Sequence, residues 1–317
     1  PMTQGMKDKL ALFCNVNSQA IIENLDADSL YEIPLMLEKE GLAHMVCRLL
    51  GLEDKTPDLA DWQEMLDKER NRTGLVTIGR VGKDVELHDA YLSVAESLHH
   101  AGIANGVSVA IRWINAEDVT DENAGKMLAG CQGGLVPGGF GDRGLEGKIS
   151  AIRYAREQKV PFLGICLGMQ CAVIEFCRNV LGYADAFTAE VRPETTHPVI
   201  DIMPDQKNVQ EKGGTMRLGA YPCVLKEGSK ARAAYGEAEI SERHRHRYEF
   251  NNDFRAQVEA AGMQITGQSP DGRLVEIVEV ADHPWFVGAQ FHPEFKSRPN
   301  RPHPLFRDFV KAALKED

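Results

Sequence analysis

The sequence predicts an α/β fold in which a mostly parallel, open sheet carries helices on both faces, next to a short remnant of a second domain. From Thr73 onward, short apolar runs alternate with longer stretches of helical periodicity, which is the pattern of parallel strands joined by crossover helices. Two glycine-rich motifs follow apolar runs of this kind, and parallel sheets bind ligands at the carboxyl ends of their strands. Residues 1–70 hold too few elements to close a core alone.

Composition narrows the class of protein further. The 317 residues are 43% hydrophobic, which is enough for one large or two ordinary domains with a sizeable core. The net charge of −11, without a long basic stripe, disfavours binding to nucleic acid. No apolar run approaches the ~20 residues of a membrane span, and the start of the chain lacks a signal core. Seven cysteines without a CxxC pair favour a reducing compartment. We therefore expect a cytoplasmic protein that contacts neither nucleic acid nor membrane.

The N-terminal part predicts few elements. Residues 10–16 form an apolar run typical of a buried strand, and residues 30–50 show apolar positions near the helical period. The polar residues 51–72 predict a connection. We expect residues 1–70 to be the C-terminal remnant of one domain with its linker, and residues 71–317 to be a second domain.

The second domain begins as a regular alternation. Its predicted strands are residues 75–81, 107–114, 134–137 and 160–166, and its predicted helices are residues 87–100 (ended by Gly102), 123–129, 146–158 and 167–178. Past residue 179 the pattern loosens. Residues 274–280 and 285–290 predict a pair of strands, and residues 305–314 predict a closing helix. The polar, glycine-ended stretch 206–214 predicts a mobile loop.

A cysteine stands at the sharpest of the predicted strand-to-helix turns. The motif GICLG at residues 164–168 places glycines two residues before and two after Cys166, as in a nucleophile elbow with sulfur in place of oxygen. A helix N-terminus favours the thiolate, and the N–H of Leu167 is placed to stabilise an oxyanion. On this motif alone, a buried cysteine in a tight turn is an equally good interpretation.

Two further motifs supply the context that a nucleophile needs. PGGFG at residues 137–141 follows a predicted strand and offers a second backbone donor, although a plain turn explains it as well. FHPE at residues 291–294 follows the strand 285–290. Residues two apart in an extended segment share a side, so His292 and Glu294 are expected to face the cysteine together. The imidazole would move the proton and the carboxylate would orient the ring.

The order PGGFG, GICLGMQ and FHPE resembles the class I glutamine amidotransferases, which implies a flavodoxin-like sheet and a triad of Cys166, His292 and Glu294. The segments 86–91 (ELHDAY), 213–219 (GGTMRLG) and 243–251 (RHRHRYEFN) narrow the resemblance to the CTP synthase family. Residues 10–16 and 29–34 (SLYEIP) resemble the end of that family's synthetase domain.

The resemblance also implies residue roles. Gly139 and Leu167 would form the oxyanion hole and contact the substrate, while Gln170, Glu190 and Arg247 would hold glutamine. The residue chemistry agrees, because an arginine suits an α-carboxylate and a glutamate suits an α-ammonium.

In the CTP synthase family, ammonia from glutamine travels through a tunnel and aminates UTP in a reaction driven by Mg-ATP, with GTP as an allosteric activator. No GxxxxGK[ST] motif occurs in this chain. We therefore expect glutamine hydrolysis at most from this chain, with no cofactor or metal of its own. The resemblance implies a homo-tetramer at full length.

Two segments keep alternative interpretations. RHRHR at residues 243–247 is either a metal or phosphate patch, or a solvated basic strand with only Arg247 turned inward, and two histidines fall short of a zinc site. Residues 206–217 correspond to a family loop that closes over the site with GTP, which suits a lid.

Two other functions remain open from the sequence. A triad hydrolase of γ-glutamyl amides would share the cysteine elbow without reading a free α-carboxylate and α-amine. A catalytically silent regulatory or assembly module would use the domain as a binding surface. The complete triad in the sequence disfavours the silent module, and substrate competition between glutamine and γ-glutamyl peptides would separate the two enzymes.

Overall fold

The computed structural model describes residues 1–202 and 216–314. The chain divides into two compact units, Pro1–Asn71 and Arg72–Asp317. Within the described ranges, no helix combines the length and the apolar character that crossing a bilayer requires. The predicted loop 206–214, and all of the predicted lid 206–217 except Met216 and Arg217, lie outside the described residues.

The first unit is helical. Its four helices are α1 (Gln4–Cys14), α2 (Ile33–Lys39), α3 (Leu42–Leu50) and α4 (Ala60–Arg70). The predicted strand at residues 10–16 is wrong, because these residues form the end of α1. A short apolar run fits a strand or a helix equally, and here it continues a turn of helix-forming residues. Leu12 and Phe13 are 80% and 78% exposed, so the run is not buried in this unit either.

Two other expectations for this unit are corrected. The single helix expected over residues 30–50 is two helices, separated at Gly41, whose φ of +82° a helix cannot continue through. The expected connection 51–72 contains α4, whose sequence is too polar to show an apolar stripe. Its exposed face carries paired side chains instead, such as Lys68 and Glu64 at 2.6 Å, and it buries Met65 and Leu66.

A nine-stranded sheet organises the second unit. Its strands are β1 (Leu75–Gly82), β2 (Ser108–Asn115), β3 (Gly133–Val136), β4 (Phe162–Ile165), β7 (Arg217–Leu225), β8 (Glu239–His246), β10 (Met263–Gln268), β11 (Val275–Val280) and β12 (Phe286–Ala289), in the order β2-β1-β3-β4-β12-β11-β10-β7-β8. A smaller sheet joins β5 (Phe187–Thr188), β6 (Pro198–Ile202) and β9 (Tyr248–Phe250) in the order β5-β6-β9.

The large sheet has a parallel half and an antiparallel half. Neighbouring strands from β2 to β12 run parallel, and those from β12 to β8 run antiparallel. The strand β12, which comes last in the chain, lies at the junction and pairs with β4 so that Ala289 is opposite Ile165. The residues that follow these two strands therefore leave the sheet side by side.

Helices cover both faces of the sheet, which confirms the predicted fold class. They are α5 (Leu92–Asn105), α6 (Ala124–Met127), α7 (Leu145–Glu157), α8 (Leu167–Asn179), α9 (Lys230–Tyr235), α10 (Arg255–Ala260) and α11 (Pro304–Ala313). On one face α5 and α11 pack with the apolar side chains of β1, β3 and β4, and on the other face α7 and α8 bury a second apolar cluster. Each apolar cluster closes one side of the sheet.

Most predicted elements of this unit are present with ends shifted by a few residues. The helix predicted to end at Gly102 continues to Asn105, and Gly106 at φ +72° ends it. Gly102 lies against the next strand, where an added Cβ would come 2.7 Å from the carbonyl oxygen of Val107. This glycine therefore serves close packing inside the helix. The predicted strand pair 274–280 and 285–290 is confirmed as the antiparallel pair of β11 and β12.

Candidate active site

Cys166 stands between β4 and α8 in a backbone conformation that few residues adopt. Its φ is +51° and its ψ is −103°, and the residue is 4% exposed. A non-glycine residue in such a region is strained by about 1–3 kcal/mol and persists where the surroundings fix it. Here the N–H of Cys166 donates to the carbonyl of Ala289 at 2.7 Å, and its carbonyl accepts from the N–H of Gln170 at 3.1 Å. The turn therefore holds the sulfur at the end of the sheet.

The glycines on either side of Cys166 are required by close packing. A Cβ on Gly164 would lie 2.8 Å from the backbone of Gly168, and one on Gly168 would lie 2.0 Å from the carbonyl oxygen of Val136. No side chain fits at these distances. The GICLG motif is thus the tight elbow that the sequence predicts.

The PGGFG loop lies directly against the cysteine. A Cβ on Gly138 would come 2.8 Å from Cε1 of His292 and 3.5 Å from Cβ of Cys166. A Cβ on Gly139 would come 3.4 Å from Cδ2 of Leu167. The loop, the nucleophile turn and the histidine thus meet at one point, and the absence of side chains leaves the backbone of the loop next to the sulfur.

His292 and Glu294 form a buried pair. Nδ1 of His292 lies 2.8 Å from Oε1 of Glu294, and the two residues are 9% and 8% exposed. The segment after β12 was expected to be extended, but Pro293–Phe295 is a short 3-10 turn that brings the carboxylate back to the ring. Since a carboxylate accepts, Nδ1 carries the hydrogen, which leaves Nε2 for the reacting groups.

The electrostatics of this pair favour a protonated imidazole. Burial lowers the pKa of His292, but the nearby Cys166 sulfur and the Glu294 carboxylate outweigh burial and raise that pKa to about 10. Each of these two partners raises the pKa both by hydrogen bonding to the ring and by its charge. At neutral pH, His292 therefore carries a proton that it can give away.

The sequence did not identify Gln290 as part of the site. This fully buried side chain donates from Nε2 to Sγ of Cys166 at 3.7 Å. Its position follows from the pairing of β4 with β12, which places Gln290 beside Cys166 where both strands end. The separation of these strands in the chain hides this contact from sequence analysis.

A cavity of about 470 Å³ opens beside the sulfur. Its walls include every predicted glutamine-binding residue except Leu167; they are Gly139, Phe140, Cys166, Gln170, Glu190, Met216, His246, Arg247 and Tyr248. Leu167 follows Cys166 directly at the start of α8, next to Gly139. Phe140, Met216, His246 and Tyr248 were not predicted to line the site, although they lie in three of the motifs that carry the family resemblance. The volume suits a small ligand.

Opposite charges line this cavity. Burial raises the pKa of Tyr248, the charge of Glu190 raises it further, and the charge of Arg247 opposes this rise. Glu190 and Arg247 therefore both lie close enough to Tyr248 to affect its pKa. An acid and a base placed in this way match a ligand that carries both an ammonium and a carboxylate.

The RHRHR segment alternates across β8. Arg243 and Arg245 are exposed, as expected for a solvated basic strand, and Arg247 lies partly buried on the cavity wall. The expectation that only Arg247 turns inward is wrong, because His244 and His246 are each 2% exposed. Strand alternation places them on the inner face. Across residues 1–202 and 216–314, no three histidine, cysteine or acidic side chains converge as metal ligands.

Comparison with protein families gives two matches. Residues 86–312 match the class I glutamine amidotransferase family, and residues 1–52 match the N-terminal family of CTP synthase. The first match covers the second compact unit from before α5 through most of α11, and the second lies within the first compact unit.

Curated relatives and a solved structure agree with these matches. The CTP synthases of Ruminiclostridium cellulolyticum and Bacillus pumilus are 61% and 60% identical over 98% and 99% of this chain. The chain spans 58% and 59% of their lengths. The glutaminase domain of Trypanosoma brucei CTPS, solved with bound acivicin, is 39% identical with a TM-score of 0.72, and the match covers 76% of this chain and 95% of that one.

Proposed function

The chain belongs to the class I glutamine amidotransferase family and carries the glutaminase part of a CTP synthase, and on this basis we propose that Cys166, His292 and Glu294 hydrolyse L-glutamine to glutamate and ammonia. One observation carries the assignment of residues: the cavity beside the Cys166 sulfur is lined by both Glu190 and Arg247. A free amino acid needs both charges.

The first half of the reaction releases ammonia. The Cys166 sulfur forms a bond to the side-chain carbonyl carbon of glutamine, and the carbonyl oxygen becomes an oxyanion near the N–H groups of Leu167 and Gly139. When the oxyanion collapses, the carbon–nitrogen bond breaks. His292 gives its proton to the departing nitrogen, so ammonia leaves and a γ-glutamyl thioester remains.

The second half regenerates the enzyme. His292 takes a proton from water, and the hydroxide adds to the thioester carbon through a second oxyanion. Collapse of this intermediate expels the thiolate and yields glutamate. Glu294 accepts from Nδ1 at 2.8 Å throughout, which fixes the ring and stabilises its charged form.

The cavity wall selects the substrate. We assign Arg247 to the α-carboxylate, Glu190 to the α-ammonium, and Gln170 to a hydrogen bond with the bound amino acid. A γ-glutamyl peptide carries the same two groups, so these residues alone do not distinguish it from glutamine. The family match supports glutamine as the substrate, and competition between glutamine and γ-glutamyl peptides in a hydrolysis assay tests this choice.

For the whole protein we propose a larger reaction. Ammonia formed at Cys166 would aminate UTP at the expense of ATP, with Mg²⁺ bound outside this chain and GTP as the activator. The support is the identity to CTP synthases that are longer than this chain. The full-length protein would work as a homo-tetramer in the cytoplasm.

Changing Cys166 to alanine tests the nucleophile. Cys166→Ala removes the bond-forming atom and is expected to abolish ammonia release from glutamine, with the fold retained because the change is small. The glutamine-like electrophile 6-diazo-5-oxo-norleucine should add one label to the parent chain and none to this variant. The readouts are an ammonia assay and intact mass.

Cys131→Ala is the matched control, because burial raises the pKa of the Cys131 thiol and this residue lies outside the cavity. It should hydrolyse glutamine and take the label as the parent does. Hydrolysis that survives in Cys166→Ala would refute the nucleophile. An unlabelled Cys166 in the parent, with no ammonia formed, would favour a silent binding module.

A further inference from the structure

A row of buried polar side chains runs from the interior of the sheet to the glutamine cavity. It begins at Glu276 on β11 and continues through His244 and His246 on β8, which are 0%, 2% and 2% exposed. Nη1 of Arg217 lies 2.5 Å from Oε1 of Glu276. None of the three takes part in the reaction steps above, and buried polar groups on this scale need an explanation.

The positions of the hydrogens in this row follow from the contact at its Tyr248 end. Nδ1 of His246 lies 3.1 Å from the carbonyl oxygen of Tyr248, which only accepts, so Nδ1 carries the hydrogen. Nε2 of neutral His246 then accepts from Nδ1–H of His244 at 2.9 Å. Nη1 of Arg217, which only donates, also lies 3.5 Å from this Nδ1, but the two shorter contacts at 3.1 and 2.9 Å decide the tautomer. His244 is left with a lone pair on Nε2, which lies 3.5 Å from Oε2 of Glu276. Neither of these two atoms has a hydrogen-bond partner among the described residues.

The contact between Glu276 and His244 needs one proton. Burial raises the pKa of Glu276 to about 7, although Arg217 opposes the rise. Burial lowers the pKa of His244 to about 2 and that of His246 to about 3. Both rings are therefore neutral, and Glu276 carries the proton below about pH 7. With it, Oε2–H donates to Nε2; without it, a carboxylate faces a lone pair.

Other ionisable groups surround the pair. They are Arg217, Tyr221 and Cys223 on β7, Asp271 in the turn between β10 and β11, and His292 after β12. Burial raises the pKa of the Cys223 thiol, which therefore stays uncharged near neutral pH. Glu276 is thus the group of this cluster whose charge changes near pH 7.

The row continues from Tyr248 to the nucleophile. The Tyr248 carbonyl also accepts from Nε2 of Gln170 at 2.9 Å, and the same nitrogen donates to Oε1 of Gln290 at 3.2 Å. Gln290 in turn donates to Sγ of Cys166 at 3.7 Å. Hydrogen bonds therefore connect His244 with Cys166 through residues that include three of the cavity wall, His246, Tyr248 and Gln170. Glu276 lies 3.5 Å from the other end of this row.

We propose that Glu276, His244 and His246 are positioning residues, whose relay of hydrogen bonds holds the Tyr248 carbonyl, and through it Gln170, in place to bind glutamine. The proposal rests on the proposed function of the cavity. When Glu276 ionises, a bond to His244 requires a hydrogen on Nε2, and Nδ1 becomes an acceptor. His246 must then donate from Nε2, which leaves the lone pair of its Nδ1 against the Tyr248 carbonyl. Affinity for glutamine therefore falls as Glu276 loses its proton.

Glu276→Gln separates this relay from a structural role, because its amide oxygen still accepts from Arg217 while its NH₂ donates permanently to His244. In the parent chain, the KM for glutamine should rise about threefold to tenfold as the pH passes about 7, on the scale of one hydrogen bond. In Glu276→Gln, KM should keep its low value at every pH from about 6 to 8.5, while kcat follows the parent.

Glu242→Gln is the matched control. Glu242 is also buried on the sheet and accepts from Nε2 of His303 and from the hydroxyl of Tyr235, each at 3.0 Å, but it lies outside the cavity. The KM of Glu242→Gln for glutamine should rise with pH as it does in the parent. A KM that is flat in the parent, or that rises equally in Glu276→Gln, would overturn the relay.

NMR of the histidine rings tests the relay without an activity assay. With ¹⁵N-labelled histidine, His244 and His246 of the parent should exchange their Nδ1–H tautomers for Nε2–H tautomers with a midpoint near pH 7. Fixed tautomers across this range would refute the relay, even if Glu276→Gln fails to fold. A parent chain that hydrolyses no glutamine would refute the proposed function, and the tautomer titration would still decide the relay.

Discussion

At the scale of single residues, the catalytic pair depends on a charge interaction that can be weakened without removing an atom. Glu294→Gln keeps the size of the side chain but removes the charge that helps to raise the pKa of His292. We expect that pKa to fall below its parent value of about 10, and glutamine hydrolysis to fall roughly 100-fold or more, because the imidazolium loses the negative charge that stabilises it. Histidine NMR and an ammonia assay measure the two effects.

Glu237→Gln is the control for this prediction, because Glu237 is exposed on the loop before β8. This variant should change neither the pKa of His292 nor the rate of glutamine hydrolysis. If His292 titrates in Glu294→Gln as it does in the parent, the assignment of Glu294 is wrong.

Sequence patterns located single residues well where a motif fixes its own geometry. Cys166 lies between two glycines that no larger residue can replace. His292 was expected beside Glu294 and lies there, although through a short turn and not through the expected extended segment. Gln290 and His246 could not be found in this way. Their places depend on which strands are neighbours, and strand order is a property of the folded sheet.

At the scale of elements, a carboxylate from one strand caps a helix. Oε1 and Oε2 of Glu279 on β11 accept from the N–H groups of Ala231 and Lys230 at 2.9 and 3.0 Å, at the start of α9. Glu279→Gln puts an NH₂ against one of these donors and removes the charge that favours a helix N-terminus. We expect the free energy of unfolding to fall by about 1–2 kcal/mol.

Urea unfolding followed by circular dichroism measures this loss. Glu259→Gln on α10, whose carboxylate pairs only within its own helix with Arg255, should change the stability by less than about 0.5 kcal/mol. Equal stability of Glu279→Gln and the parent chain would mean that the cap contributes nothing.

Elements with strong periodicity were predicted and polar or ambiguous ones were not. The alternation up to α8 gives each strand and helix its own apolar signature. The apolar run at residues 10–16 has no such signature, since seven residues suit either structure. The strand β8 was predicted only in part, as the basic strand over residues 243–247. The strands β7 and β10 were missed: Gly219 and Pro222 interrupt the first, and polar residues alternate along the second. The helix α4 was missed because its sequence is too polar to show an apolar stripe.

At the scale of the whole molecule, stability should depend on the charge of His292. A histidine whose pKa is raised in the folded state stabilises that state below its unfolded pKa of about 6.5, and this contribution disappears as the pH rises through the folded pKa of about 10. The difference in unfolding free energy between the parent and His292→Asn should therefore be largest near pH 6 and shrink toward pH 10.

The buried thiols of Cys171 and Cys177 have raised pKa values, which also make the fold less stable in alkali. This effect is the same in the parent and in His292→Asn, so it cancels in the difference between their unfolding free energies. Urea titrations at several pH values supply the data. A difference that stays constant from neutral pH to pH 10 would show that the imidazole is not charged in the folded protein.

The overall class could be predicted because parallel sheets with crossover helices leave a regular pattern in sequence. Beyond the pair of β11 and β12, the antiparallel half of the sheet could not be predicted, and neither could the place of β12 between β4 and β11. Pairing between distant strands is decided by how the whole sheet buries its two faces, and residues such as Ala289 and Ile165 carry no local sign of it.

The place of β12 has a consequence for the newborn chain. During synthesis the cysteine elbow leaves the ribosome before β12 does. The sheet is complete only when β12 has inserted beside β4. Until then Cys166 has neither His292 nor the amide of Gln290 beside it. A chain whose synthesis stops before β12 is therefore expected to release no ammonia from glutamine.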